Sequence, residues 1–97
     1  MRKPTISLDS VVVRTKDLVT TGLQRELIIL NIQRDSYVAL DEIGNRIWEL
    51  LAAEQKVLDL CIQVGKEFQG EPRQIEDDLL RFLSELQAEA LVDVVKA

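Results

Sequence analysis

The sequence predicts an α+β protein: a small N-terminal antiparallel β-sheet of three strands, followed by three helices. Three observations predict it. Residues 1–40 hold short β-branched and apolar runs separated by polar turns. From Asp41 onward the apolar spacing changes from two to between three and four, the helical period. Strands and helices are thus segregated along the chain, which is the α+β pattern, and do not alternate as in α/β folds.

Residues 1–7, polar and carrying Pro4, are expected to be flexible. Val11–Thr15, VVVRT, is β-branched and reads as the first strand. Lys16–Leu23 holds Gly22 and two Thr and reads as a connection with extended pieces. Arg25–Ile32 is a nearly continuous apolar run, QRDS suits a tight turn, and Ser36–Leu40 returns, which makes an antiparallel hairpin. With Arg34 and Asp35 at the turn, Ile28, Leu30, Ile32, Tyr37 and Ala39 share one face; Leu27, Ile29, Val38 and Leu40 share the other. Both faces are apolar, so the hairpin needs cover on both sides, or cover on one and a partner on the other.

Ile43, Ile47, Leu50 and Leu51 form the stripe of a first helix. Asp41 sits where an N-cap belongs, with Glu42 in the first turn. Gly44 costs about 1 kcal/mol of helix propensity and leaves room for a close neighbour. Val57, Cys61, Val64 and Phe68 mark a second helix. Between the two, Ala52–Lys56 has no Gly, Pro, Ser or Thr, so one continuous helix from Glu42 to Phe68 is the alternative; the stripe lapses at Glu54 and Gln55, which points to two. Gly70 and Pro72 separate the third helix, about Arg73–Glu89, striped by Ile75, Leu79, Phe82 and Leu86. Leu91–Val95 is a short final extended piece. Three helices with a small sheet describe a winged-helix-like bundle.

Composition narrows the function. The chain has 97 residues, 46% hydrophobic and 30% charged, which fits one globular domain over 1–97. Apolar runs are too short for a membrane span, and the N-terminus lacks a signal peptide's apolar stretch. A cytoplasmic protein without a membrane partner is expected. One Cys and no His exclude an internal disulfide and any His-activated Ser or Cys nucleophile. A zinc or iron site built from carboxylates alone is unusual. A protein without catalytic activity, metal or cofactor is expected from that inventory.

Charge and the aromatic residues point the same way. Residues 1–40 hold six Lys/Arg against four Asp/Glu, while 41–97 hold six against thirteen. Glu71–Glu89 carries two Arg and six acids, so a nucleic-acid-binding winged helix, the alternative class, would press negative charge on phosphate. Another alternative is a domain that only mediates protein assembly. Trp48 reads as a core anchor, Cys61 as a buried small hydrophobe, and Asp77–Asp78 as helix-start or solvated acids. Tyr37 is placed at the rim of an exposed face.

Three stretches, ELIILNI (26–32), YVALDEIGNRIWELL (37–51) and IEDDLLRFLSELQAEALV (75–92), resemble the PqqD family, whose fold is also called the RiPP recognition element. The family pattern is a hairpin, then Leu-Asn-x-x-Gly-x-x-Ile-Trp-x-Leu-Leu, then a helix closing in Gly-Leu-Ile/Val. Here Asp41 stands in place of Asn, and Ala90 in place of Gly. The resemblance covers about residues 8–95.

It implies a non-catalytic peptide chaperone. Such a protein binds the leader of a ribosomally made precursor peptide. It then presents the precursor to a modifying enzyme: a radical SAM enzyme in pyrroloquinoline quinone synthesis, or a leader peptidase and cyclase for lasso peptides. The leader is expected to add as a strand beside the last strand of the hairpin, in a groove against the third helix. In this chain that edge is Ser36, Tyr37, Val38, Ala39 and Leu40, and the facing wall is the early part of the third helix: Ile75, Asp78, Leu79 and Phe82. Asp78 is expected to meet a basic or hydroxyl side chain of the peptide. Independently, an apolar hairpin with an open edge can template an added strand.

Overall fold

The computed structural model of the chain describes residues 5–23 and 26–97. Six strands and three helices are found there: β1 (Val11–Arg14), β2 (Val19–Leu23), β3 (Glu26–Asn31), β4 (Ser36–Leu40), α1 (Glu42–Leu50), β5 (Gln55–Lys56), α2 (Val57–Glu67), α3 (Pro72–Ala88) and β6 (Val92–Lys96). The strands form two antiparallel three-stranded sheets, ordered β5-β1-β6 and β2-β3-β4.

The three-stranded sheet around the hairpin is present, but its third strand is β2, from the stretch read as a connection. The first strand, β1, instead pairs with β6 and β5. Its register with β6 runs from Arg14↔Val92 to Val11↔Lys96, with a bulge that leaves Val95 unpaired. Pairing of chain ends this far apart in sequence carries no local signal, which is why periodicity assigned neither partner. The expected flexible stretch falls partly outside the described residues; within it, Ile6 is buried and Ser7 donates its backbone N–H to Ser10 Oγ at 2.9 Å. Arg25, read as the start of the hairpin, also lies outside the described residues.

The hairpin closes through a four-residue turn, Ile32 to Asp35, with Asp35 in the left-handed region at φ 51°. Its register pairs Leu30 with Tyr37, Ile28 with Ala39, Ile29 with Val38 and Leu27 with Leu40. The two faces are those the alternation predicts. Ile29 and Leu40 are buried in the core, with Leu27 and Val38 packed against it. Tyr37, Ala39 and Ile32 stand exposed on the other face.

Asp41 caps α1, accepting the Gly44 N–H at 2.8 Å. A Cβ on Gly44 would lie 3.2 Å from the Asp41 carboxylate oxygen and 3.4 Å from Leu40, a tight fit that glycine avoids. Ile47, Trp48 and Leu51 are buried. Helices α1 and α2 are separate, although no residue between them is a helix breaker. The free carbonyls at the end of α1 are taken by Gln55 Nε2, on Leu50 O at 3.0 Å, and by the Arg14 N–H, on Leu51 O at 3.0 Å. Tertiary partners thus stop the helix where propensity would let it continue. Lys56 offers α2 no side-chain cap; Val57 N–H and Leu58 N–H instead donate to Ser10 O and Leu8 O.

Glu71 caps α3 by accepting the N–H groups of Arg73 and Gln74, with Pro72 opening the helix. At the far end, Leu91 N–H donates to Leu86 O at 2.8 Å and Ala90 N–H to Gln87 O at 3.0 Å. That is a Schellman closure, with Ala90 in the left-handed position at φ 58° and Leu91 and Leu86 both buried beside it. The family pattern has glycine here because this backbone needs it; Ala90 keeps the conformation at a cost. The core lies between the helices and the inner sheet faces, centred on Ile29, Leu51, Leu60, Leu83, Leu86 and Leu91.

Candidate functional site

Two contacts fix the hairpin against the end of α3. Asn31, buried at the end of β3, donates its side-chain amide to Ala90 O at 3.2 Å, and its Oδ1 accepts the Arg34 N–H at 3.3 Å. Arg34 reaches back to Ala88 O at 3.4 Å. The Schellman turn therefore both ends α3 and supplies the anchor that sets β4 alongside it. Asn31 is one of two buried polar residues among those described, and both its hydrogen bonds serve this junction.

β4 is the outer strand of its sheet, and among the described residues no strand pairs with its outer side. The C-terminal strand, which could have covered this edge, pairs with β1 instead. Along the edge lies a groove of about 310 Å³, walled by Tyr37 and Val38 of β4 and by Phe82, Glu85, Leu86, Ala88 and Glu89 of the α3 end. Tyr37 is 69% exposed, an unusual state for a large aromatic residue, while Leu86 closes the floor. Ser36 Oγ, at the start of the edge, is buried without a hydrogen-bond partner among the described residues.

The structure brings Tyr37, Val38 and Phe82 together, as the sequence suggests, with Ser36, Ala39 and Leu40 in line on the same strand. Leu79 is 3% exposed and belongs to the core. Asp78 is solvent-exposed, accepts Gln74 Nε2 at 2.9 Å and lies 3.7 Å from Arg81. Ile75 lines a separate cavity of about 260 Å³ with Leu58, Cys61, Gly65 and Gly70, between α2 and α3. Glu85, Ala88 and Glu89 were not singled out by periodicity. They follow Phe82 at helical spacings, but only the Asn31–Ala90 junction reveals that the C-terminal half of α3 is the half facing the edge.

The groove wall contributed by α3 is acidic. Glu85 and Glu89 stand on the groove wall with no cation within ion-pair distance among the described residues. Burial pushes the Cys61 thiol up, with Glu76 adding to the effect, so it is not an activated nucleophile. Among the described residues no three His, Cys, Asp or Glu side chains cluster as metal ligands, and no helix is long and apolar enough to cross a membrane.

An antiparallel edge beside a helix-walled groove is the feature to set against known proteins. Residues 26–92 match the family described as coenzyme PQQ synthesis protein D (PqqD). No curated protein matches the chain. Among solved structures, it is similar to "TbiB1 in Complex with the TbiA(beta) Leader Peptide", with a TM-score of 0.73 and 26% sequence identity, over 82% of this chain and 93% of that one. The family match spans more than half of the chain, including the hairpin, all three helices and the groove between them, so the chain belongs to the PqqD family of RiPP recognition elements.

Proposed function

We propose that this protein is a non-catalytic adaptor that captures the leader of a ribosomally synthesised precursor peptide as an added strand on β4 and presents it to a modifying enzyme. One observation carries the reading: β4 is an uncharged edge, unpaired on its outer side among the described residues, running beside a groove. Main-chain hydrogen bonds to Ser36–Leu40 supply register, and alternate leader side chains enter the groove against Val38 and Phe82. The similar solved structure is that of a protein bound to a leader peptide, which supports the same use of the fold here.

The groove wall specifies the guest further. Apolar leader residues fill the space over Phe82 and Leu86, and basic ones meet Glu85 and Glu89. Asp78, one turn before Phe82, extends the acidic strip for a longer leader. Leu79 supports the wall from beneath, and Ile75 would be reached only by a leader that continues past it towards α2. The buried surface is about 1,200 Å² or less, which suits a reversible complex. The partner enzyme is of the kind that acts on such precursors: a radical SAM enzyme, a leader peptidase or a cyclase.

The test is a titration of fluorescently labelled leader peptide, taken from the precursor encoded beside this protein, against the purified chain. Saturable binding in the micromolar range or tighter is expected, with no competition from duplex DNA. Absence of leader binding together with a DNA gel shift would replace this reading with a nucleic-acid-binding one.

A further inference from the structure

A second cavity, of about 510 Å³, shares no lining residue with the β4 groove. It is lined by Val13, Arg14 and Thr15, by Lys16 and Leu18 of the β1–β2 connection, and by Trp48 of α1. Thr20, from the far edge strand β2, also borders it, so strand β3 separates this site from the β4 edge. Its size falls in the range of small-molecule sites.

Three properties of the lining converge on one ligand chemistry. First, Arg14 and Lys16 have no carboxylate within ion-pair distance among the described residues, in a chain of net charge −5. Second, Thr15 Oγ1 and Trp48 Nε1 are buried with no hydrogen-bond partner among the described residues, and Trp48 is only 3% exposed. Buried polar groups in folded proteins are nearly always paired, and two orphans on one cavity wall are rare. An indole N–H only donates, so the missing partner must be an acceptor. Third, Val13, Leu18, Ala52 and the indole ring give the lining an apolar part beside its polar residues.

We propose that this cavity binds a small monoanionic carboxylate with an apolar body, either a free acid or the C-terminal residue of a peptide. Arg14 and Lys16 hold the carboxylate, and the Thr15 hydroxyl and the Trp48 indole N–H donate to it from the inner wall. In the free protein the Arg14 guanidinium lies 5.4 Å from the indole centroid, over the ring. Both orphan atoms are shielded from solvent there, and the guanidinium turns towards the carboxylate as it enters. Asp17 lines the same cavity, leaving its lining with one net positive charge, so a monoanion is matched and a dianion such as phosphate is disfavoured. The site is independent of strand addition at β4.

Trp48 is the sole tryptophan, so its emission and its indole N–H resonance report this site alone. The probes are N-acetyl-leucine, N-acetyl-leucinamide, a tripeptide ending in a free Leu carboxylate, and inorganic phosphate. Saturable changes in both signals are expected with at least one of the two carboxylates, and whichever binds identifies the source as free acid or peptide terminus. The amide should bind about tenfold or more weakly, and phosphate should not compete. Lys16→Ala should weaken binding about fivefold. Thr15→Val should weaken it about threefold or more without lowering Tm, because the hydroxyl it removes has no partner in the free protein. The proposal is overturned by any of three results: no saturation by either carboxylate up to about 10 mM, equal binding of acid and amide, or wild-type affinity in both variants.

Discussion

The described residues form two antiparallel sheets of equal strand number whose edges are built differently. In the β5-β1-β6 sheet, one edge strand is two residues long and runs directly into α2. The other, VDVVK, carries Asp93 and Lys96 and is kinked by a bulge at Val95. Shortness, charge and bulges are the devices by which proteins stop an edge from recruiting another chain. In the β2-β3-β4 sheet, β4 is SYVAL: five residues with no charge and no proline, in unbroken register from Asn31↔Ser36 to Leu27↔Leu40. The opposite edge, β2, is likewise uncharged, yet it consists of VTTGL and packs chiefly on β3, whereas β4 has a helix-walled groove beside it. An unprotected edge of this kind is what the proposed strand addition requires.

The contrast can be broken most severely by removing N–H groups from β4. Alternate amides of an edge strand point inward to β3 and outward to solvent. A proline scan over Tyr37, Val38 and Ala39 should contain one parity that unfolds the hairpin and one that folds normally by circular dichroism. The folded parity should lose leader affinity about 100-fold or more, since it deletes a ladder donor and obstructs pairing. Val95→Pro, placed at the bulge of the protected edge, should leave both folding and leader affinity unchanged. Equal effects at the two edges would erase the distinction.

Phe82→Ala comes next. It removes the aromatic wall of the groove and should weaken leader binding by about 2 kcal/mol, roughly thirtyfold, in a protein that remains folded. Ala90→Gly acts on the junction that sets α3 beside β4. Alanine at φ 58° is strained and glycine is not, so thermal unfolding should show a gain of about 1 kcal/mol, with leader affinity unaltered. A combined Glu85→Gln and Glu89→Gln variant should weaken binding of a basic leader by about 0.5 kcal/mol per contact, and the loss should shrink as salt rises.

The smallest effect concerns the helical layer beneath both sheets. Arg46 clamps Glu67 through hydrogen bonds of 2.7 and 3.1 Å, joining α1 to α2. The Arg46 guanidinium, aided by Gln63, holds the Glu67 carboxyl below the usual carboxylate range. A carboxyl lowered in the folded state stabilises at pH values above its unfolded value, and that contribution disappears as the pH falls through the folded value. Tm of Glu67→Gln should therefore lie slightly below wild type at neutral pH, and the two should converge as the solution is acidified below the usual carboxylate range.

How much of this was legible in the sequence depended on the range of the interaction. Alternation in LIILN and YVAL gave the two hairpin faces correctly, because period two is a local property of the strand. Asp41 and Pro72 announced the helix starts for the same reason. The break between α1 and α2 left only a lapse in the apolar stripe, since its cause is Arg14 and Gln55 capping carbonyls of the α1 end. The pairing of β1 with β6 was invisible, as was the choice of which half of α3 faces β4. Both rest on contacts between residues more than fifty positions apart, such as Asn31 with Ala90. The resemblance to the PqqD family pointed to the β4 edge and to the early part of α3, whereas the groove along β4 is walled by the later turns of α3, a placement that depends on the C-terminal closure of that helix.

Hydrogen–deuterium exchange of the backbone amides, with and without a saturating leader peptide, tests the central claim most directly. The account predicts new protection at alternate residues within Ser36–Leu40, with exchange in β1, β5 and β6 unchanged. A bound leader that leaves the β4 amides exchanging as in the free protein, and protects another surface, would contradict it.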